Sequence, residues 1–373
     1  MGWKRVTIMS QRIEFVTMAL KEGTAFSELC SRFGISRKTG YKFLKRYGGE
    51  GVQGLEDRSR RPRNSPNVTG ARMERMILEL RDKHPAWGGR KLKRRAEDIG
   101  YNGVPSPSTI TEILKRNGRI APEDSEKHMA WRRFEVERPN DMWQMDFKGH
   151  FPVREGRCHP LTVLDDNSRY ALCIGACGNE RMETVEEHLR DVFRRYGLPC
   201  AILADNGSPW GRDSVHRHTS LTVWLMCLGV GVRHSRVSHP QTLGKDERFH
   251  RTMNAEVVHD CKDRSMSECQ RLLDRWRVFY NTERPHEALG MKVPADCYRV
   301  SDREFPERVR EWEYSPSDVV RKVQDGGILH YKGKEWRVGN AFKGQRVGIR
   351  PAGGDGRFDV FFRNFKIAQI NLV

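Results

Sequence analysis

The sequence predicts a multidomain protein with N-terminal all-α units, a central mixed α/β sheet and a small C-terminal antiparallel β-barrel. Three observations carry this prediction. Apolar residues recur at helical spacing up to about residue 117, strands and helices alternate over residues 136–300, and residues 315–373 alternate apolar and polar positions between glycines. A length of 373 residues fits several domains rather than one.

The charge balance predicts a polyanionic partner. The formal net charge is +18 and the sequence pI is about 9.7, which favours double-stranded DNA. No apolar run approaches the roughly 20 residues that span a bilayer, and the N-terminal stretch lacks a secretory h-region. The nine cysteines form no CxxC pair, so we expect no structural zinc site. These features predict a cytoplasmic, nucleoid-associated protein without a membrane contact.

Residues 1–56 are predicted to form a helix-turn-helix domain. After a first helix ending near Phe33, Gly34 breaks the periodicity and Ser36 can cap a second helix. That second helix is basic around an apolar stripe of Tyr41 and Leu44, as in a DNA recognition helix; the alternative is a helical hairpin with a solvated basic face. The candidate DNA contacts on it are Arg37, Lys38, Tyr41, Lys42 and Lys45.

A basic linker at 57–70 and a second helical domain at 71–122 are expected to follow. The linker contains Arg60 and Arg61, which can track a phosphate backbone. Helices near 71–83, 88–99 and 106–117 predict a second, winged-helix-like helix-turn-helix domain, in which Lys91 is a DNA-contact candidate.

The order of elements over residues 136–300 is that of a ribonuclease-H-like sheet. One long strand is expected across residues 141–153, two more strands follow, and a helix–strand–helix–strand–helix alternation completes the domain. In such a sheet the first and fourth strands are neighbours. Asp146 lies in the first strand and Asp205 ends the fourth, so both carboxylates would project into one cleft.

An acid inside an apolar strand is costly to bury unless it is paired or binds a metal ion. Asp205 alone could be an ordinary turn former before Asn206-Gly207. Glu247, on a predicted helix that also presents His250 and Arg251, is a third candidate. Three carboxylates at one point favour hard divalent cations, so we expect two Mg²⁺ ions, with Mn²⁺ as a substitute.

Five ordered motifs, "WQMDFKG", "VLDDNSRY", "ADNGSPW", "SHPQTLGKDERFHRTMNAE" and "YNTERPHEALG", resemble the integrase-core DDE transposases of bacterial insertion sequences. The resemblance implies a catalytic and metal-binding triad of Asp146, Asp205 and Glu247. It also implies that Lys245 contacts DNA phosphate and that transposon ends and target DNA are bound by a homo-oligomer. Arg251 is a further DNA-contact candidate.

Several alternatives stay open from the residues alone. The interval from Asp205 to Glu247 is longer than the family's usual one, and Asp246 would replace Glu247 if the helix faced the cleft differently. Asp165 and Asp166 are better explained by a capped turn than by metal binding. His239 could orient substrate or cap a helix. At the level of function, a helix-turn-helix regulator and a ribonuclease-H-like nuclease without strand transfer remain the alternatives.

Overall fold

The computed structural model describes residues 7–21, 23, 25–59, 68–120, 136–211, 218–234 and 244–372. The chain divides into two compact units, Met1–Val68 and Thr69–Val373. Arg60, Arg61 and His239 lie outside the described residues. None of the described helices is both long and apolar enough to cross a membrane.

The first unit contains three helices and a short 3₁₀ turn around a small core. They are α1 (Ile8–Ala19), α2 (Phe26–Arg32), α3 (Arg37–Glu50) and the 3₁₀ turn Gly51–Leu55. The Ser36 side chain accepts the Thr39 N–H and caps α3, as the sequence predicts. The helix buries Gly40 and Phe43, and Leu44 packs against the same core, whereas Tyr41 is exposed, so the predicted apolar stripe is confirmed for Leu44 and wrong for Tyr41.

The second unit begins with three helices, α4 (Ala71–Lys83), α5 (Gly89–Asp98) and α6 (Pro107–Arg116). Ser106 caps α6 by accepting the Thr109 N–H, and Pro107 takes the first helical position, where its missing N–H costs nothing. Described residues 68–120 contain no strand, and residues 121–135, where a wing would follow, lie outside the described part.

A mixed sheet follows, with the strand order β4–β3–β1–β5–β6 and a short β2 paired to the start of β3. The predicted long strand at 141–153 is two strands, because Gly149 adopts a positive φ between them. The strands are β1 (Trp143–Phe147), β2 (Phe151–Val153), β3 (Gly156–Asp165), β4 (Ala171–Cys177), β5 (Ala201–Ala204) and β6 (Gly231–His234). β1 is antiparallel to β3 and parallel to β5.

Helices cover both faces of this sheet. Helices α7 (Met182–Tyr196) and α8 (Ser220–Cys227) pack on one face, and α9 (Gly244–Met253) and α11 (Met266–Thr282) pack on the other. Between the last two, a π-helical turn, Asn254–Val258, leads into α10 (His259–Cys261). A short α12 (Pro294–Cys297) follows.

The two-residue period of β1 decides which side chains reach which face. Trp143 and Met145 are fully buried in the core beneath α7 and α8. Gln144 and Asp146 therefore point to the opposite face, which α9 and α11 cover.

The C-terminal region forms an open antiparallel sheet, β12–β11–β10–β7, and a separate two-stranded β8–β9 ribbon. Over the described residues 318–372 the strand pairings do not close a ring, so the predicted barrel is replaced by a sheet whose apolar face packs on Val223 and Met226 of α8. The strands are β7 (Val319–Lys322), β8 (Ile328–Tyr331), β9 (Lys334–Arg337), β10 (Arg346–Pro351), β11 (Arg357–Phe362) and β12 (Phe365–Asn371).

The adjacent glycines at the start of α5 provide a test of the packing of α5 on α6. A Cβ on Gly89 would lie 2.4 Å from the Pro107 carbonyl oxygen, whereas a Cβ on Gly88 would have nothing within 4 Å. We expect Gly89→Ala to lower the free energy of unfolding by about 1–3 kcal/mol through overpacking. Gly88→Ala should cost less than about 1 kcal/mol. Urea unfolding of both variants checks this, and equal losses would contradict it.

Candidate active site

The pairing of β1 with β5 brings two predicted site residues together. The parallel register aligns Trp143 with Ile202 and Gln144 with Leu203. Continued by two positions, that register places Asp146 beside Asp205, just past the end of β5. The Asp205 Oδ1 accepts the Gly207 N–H at 3.0 Å, so this residue also shapes the turn after the strand.

The electrostatics of Asp146 reflect crowding of carboxylates. Burial and, next, the Asp205 carboxylate raise the pKa of Asp146 to about 7, and Glu180 and Glu247 act in the same direction. The Phe147 N–H opposes the shift. Like charges in a partly buried place disfavour ionisation, and a cation at the same place would reverse this effect.

Helix α9 carries two adjacent acids with opposite environments. Glu247 is exposed, whereas Asp246 is fully buried. Neither carboxyl oxygen of Asp246 has a hydrogen-bond partner among the described residues. Burial, followed by the Asp146 and Asp166 carboxylates, raises its pKa well above the usual range. Glu247 and Asp246 of α9 thus both repel the carboxylate of Asp146 on β1.

His250 lies one turn further along α9 and contacts β3 beside Asp146. Its Nε2 is 2.8 Å from the Thr162 hydroxyl, which in turn donates to the Asp146 carbonyl oxygen at 3.0 Å. Because the Thr162 hydroxyl gives its own hydrogen to Asp146, it accepts one from His250, so we assign the imidazole proton to Nε2. Burial and then Lys148 lower the pKa of His250 to about 4, so the imidazole is neutral. Its 4.0 Å approach to the Asp146 Oδ2 is therefore not an ion pair.

Lys245 is engaged inside the protein. Its Nζ donates to the Asp166 Oδ2 at 2.5 Å and to the Asp166 carbonyl oxygen at 3.1 Å. Asp166 is fully buried and also accepts from Gln144 and from the Val136 N–H. Lys245 therefore neutralises a buried acid in this structure. The contact with DNA phosphate that the sequence predicts for it stays a prediction.

The neighbouring Asp165 holds a turn together, as the sequence favours. Its carboxylate accepts from the Ser168 N–H and hydroxyl and from the Asn140 N–H. All of these groups lie in the protein interior, which explains why the "LDDNSRY" stretch combines a strand end with buried acids.

The candidate DNA contacts are spread over the chain. Those on α3 are all exposed: Arg37, Lys38, Tyr41, Lys42 and Lys45. Arg251 is exposed on α9, and Lys91 is half-buried on α5. His218, from the "HRH" stretch, packs edge to face against Phe342.

Sequence reasoning missed Thr162, Asp246 as a buried acid, and the Lys245–Asp166 pair. Of these, only Thr162 could have been found from the sequence, because it is a polar residue inside an apolar strand. Among the described residues, no group of three or more His, Cys, Asp and Glu side chains is arranged to hold a metal ion. The candidate site thus consists of Asp146 on β1 and Asp205 just past β5, with Glu247 of α9 close enough to act on the charge of Asp146.

Family comparisons match separate parts of the chain. Residues 136–240 and 228–294 match integrase core domains. Residues 11–63 match a helix-turn-helix domain and residues 39–114 a homeodomain-like domain. The fold and these matches define an integrase-core protein with helix-turn-helix domains. Residues 318–373 match the C-terminal domain of IS481 family transposases.

The chain is also similar to proteins of bacterial insertion elements. The chain is 25% identical over 158 residues to an uncharacterized 31.7 kDa protein of insertion element IS407 from Burkholderia multivorans, which covers 42% of this chain and 55% of that protein. It is 25% identical over 246 residues to the transposase InsD of insertion element IS2 from Escherichia coli, covering 61% and 77%. The chain thus spans about half the length of the IS407 protein.

A solved structure is also similar. The HTLV-2 integrase catalytic core domain, determined in complex with magnesium, shares 13% identity with this chain at a TM-score of 0.34. The aligned part is 43% of this chain and 98% of that one.

The Lys245–Asp166 pair predicts a stability effect. Lys245→Met should lower the free energy of unfolding by about 3 kcal/mol, because Asp166 then stays buried without its cation. Lys262→Met, at an exposed lysine, serves as the control. Urea unfolding measures both. A Lys245→Met protein that is as stable as the wild type but binds DNA more weakly would instead assign this lysine to phosphate.

Proposed function

We propose that this chain is a DNA transposase that binds transposon ends, cleaves their 3′ ends and joins these to target DNA. The observation that carries the proposal is the pair formed by Asp146 on β1 and Asp205 just past the end of its parallel neighbour β5. The Asp205 carboxylate contributes to raising the pKa of Asp146 to about 7, second only to burial. The domain matches and the net charge of +18 support the same conclusion.

The residues present fit a divalent metal ion in their chemistry. Carboxylate oxygens are the ligands that Mg²⁺ and Mn²⁺ prefer, and the raised pKa of Asp146 is what crowded acids show before a cation neutralises them. Asp146, Asp205 and Glu247 would hold two such ions. When bound, the ions stabilise the attacking and leaving oxygens of a phosphodiester exchange.

The protein's own residues position the reaction. The Thr162–His250 contact holds the backbone at Asp146 through the Asp146 carbonyl oxygen. In the first step water attacks the end phosphodiester, its oxygen forms a new P–O bond, and the P–O bond to the 3′ oxygen breaks. The transposon end is left with a 3′-hydroxyl and the flanking DNA with a 5′-phosphate. In the second step that hydroxyl attacks a target phosphodiester, a new P–O bond forms, and the target's own 3′ oxygen leaves with a proton.

The proposed partners follow from the same chemistry. The exposed basic side chains of α3 provide contacts to double-stranded DNA at the transposon ends. Joining two ends to one target requires both ends in one complex, so a homo-oligomer on DNA is part of the proposal.

The acids give the central prediction. Asp146→Asn, Asp205→Asn and Glu247→Gln should each reduce Mg²⁺-dependent nicking of terminal-repeat DNA by at least about a hundredfold, since each removes a charged ligand of the metal ions. Binding of the same DNA, measured by gel shift, should persist.

Asp246→Asn is the matched control for Glu247→Gln, because the two acids are adjacent on α9. We expect it to nick like the wild type; the opposite result would move the third ligand to Asp246. End-labelled products distinguish the alternatives. Transfer to a second duplex supports a transposase, hydrolysis alone indicates a nuclease, and binding without nicking in Mg²⁺ or Mn²⁺ indicates a regulator.

The recognition helix gives a separate prediction. Lys38→Ala should weaken DNA binding and make the slope of log K against log salt shallower by about 0.9, the value for one phosphate contact. Lys21→Ala, at an exposed lysine outside α3, should leave the slope unchanged. Fluorescence anisotropy over a KCl series measures both. Identical slopes for the two variants would argue against α3 as a DNA-reading helix.

A further inference from the structure

A buried seat joins the helical domain α4–α6 to the integrase-core domain. Trp87, in the loop between α4 and α5, is fully buried, and its indole donates to the Glu256 Oε1 at 3.1 Å. Glu256 lies in the π-helical turn that follows α9. The Trp87 and His84 rings also stack on Phe279 of α11, with interplanar angles of 17° and 9°. Two elements of the integrase-core domain thus contact the helical domain at these four residues, which we call the seat.

The Glu256 carboxylate at the centre of the seat is held from three directions. Besides the Trp87 indole, it accepts from the Trp276 indole on Oε2 at 3.1 Å and from the Arg284 Nε on Oε1 at 3.2 Å. The side chains of Glu256 and Arg284 are each 6% exposed, so they form a buried ion pair. Loss of one partner would leave the other as an uncompensated buried charge. Glu256 therefore cannot turn away from Arg284, and this fixes the acceptor to which Trp87 donates.

Ion pairs surround the seat in a more exposed ring. Arg95 of α5 pairs with Glu283, the residue after α11, and Arg90 lies 3.6 Å from Glu287. The Arg95 and Arg90 side chains are 22% and 69% exposed, whereas Trp87 is fully buried. Buried aromatic and charged anchors inside a polar rim are typical of specific interfaces. The helical domain is thus held in a defined place on the integrase-core domain.

The seat and a candidate metal ligand lie on one helical segment. Helix α9, which carries Glu247, continues directly into the π-helical turn that carries Glu256. The α9 end of the segment is fixed to the sheet, because the His250 Nε2 is 2.8 Å from the Thr162 hydroxyl of β3. Closely packed elements transmit a displacement rather than absorb it. The placement of the helical domain and the placement of the acids are therefore set by the same segment.

We infer that the seat sets the distance along DNA between the sequence that α4–α6 binds and the phosphodiester that is cut. The inference rests on the proposed function, which supplies the DNA and the cut. The match of residues 39–114 to a homeodomain-like domain supports DNA binding by α4–α6. A domain on a loose tether would let several neighbouring phosphodiesters reach the acids, whereas a seated domain presents one. Trp87 and Glu256 are thus positioning residues, which act through the placement of DNA.

The first experiment maps the cut made by the full-length protein in Mg²⁺ on a 5′-labelled terminal-repeat duplex. Glu256→Gln leaves Arg284 unpaired, and its amide nitrogen cannot accept from an indole. Cuts at neighbouring phosphodiesters should become at least about tenfold more frequent than in the wild type, because small displacements decide which bond is in line. Trp87→Phe, which keeps the ring and loses the donor, should act alike from the other side of the seat. Loss of folded protein would lower the number of cuts without moving them.

Two variants serve as matched controls and should cut where the wild type cuts. Glu97→Gln makes the same change at an exposed acid of α5. Trp336→Phe removes an indole N–H that has no hydrogen-bond partner among the described residues. In a further arm, one base pair is inserted between the footprint of the protein and the cut. The wild type should keep its distance from the footprint, and a cut that stays at the original end bond would overturn the inference.

A second experiment measures the placement of the helical domain without DNA. Spin labels carried by unnatural amino acids at two exposed positions, Lys115 on α6 and Lys262 after α10, report the distance between the domains. We expect one narrow distance distribution in the wild type and a broad one in Glu256→Gln and Trp87→Phe. A broad distribution in the wild type, or a narrow one in both variants, would show that the seat does not hold the domain.

The outcomes also separate this inference from the proposed function. A broadened distribution with an unmoved, single cut would defeat the inference and keep the transposase. A wild type that shows the narrow distribution and binds terminal-repeat DNA but never cuts it would defeat the proposed function, while the seat itself would stand.

Discussion

The parallel pairing of β1 with β5 is the constraint from which the candidate site follows. Trp143 and Met145 are fixed in the core under α7 and α8, so the register of β1 cannot slip without moving them into the opposite face. The same register directs Asp146 away from that core and toward Asp205. Burial of apolar side chains thus holds two repelling carboxylates in place, and desolvation together with this repulsion raises the pKa of Asp146.

Much of this architecture could be predicted from the sequence because it depends on local periodicity. The helices α4, α5 and α6 and the alternation that follows β4 come from apolar spacing, whereas the placement of Asp146 and Asp205 on neighbouring strands comes from the strand order of ribonuclease-H-like sheets. Contacts between distant residues could not be predicted in this way. Lys245 and Asp166 are 79 positions apart, and neither residue type indicates in the sequence that it has a buried partner.

Two errors show where local patterns fail. Tyr41 looks like a core residue by spacing, but Gly40 sets the phase of α3, since only a glycine lets Cys30 and Phe15 approach so closely. The C-terminal alternation correctly predicts antiparallel strands, yet a barrel requires edge strands to meet. Whether they meet depends on what covers the sheet, and here α8 packs on its apolar face.

A continuous helical segment extends from α9 through the π-helical turn to α10. It connects the acids of α9 to Glu256, which contacts Trp87 in the domain formed by α4–α6. Glu247 and Glu256 are nine positions apart on it, about 14 Å along an ideal helix axis. Glu256 is held by Trp87 of the helical domain, by Trp276 of α11 and by Arg284. No loop interrupts this segment, so one continuous helical run joins the acids of α9 to the residue that Trp87 contacts.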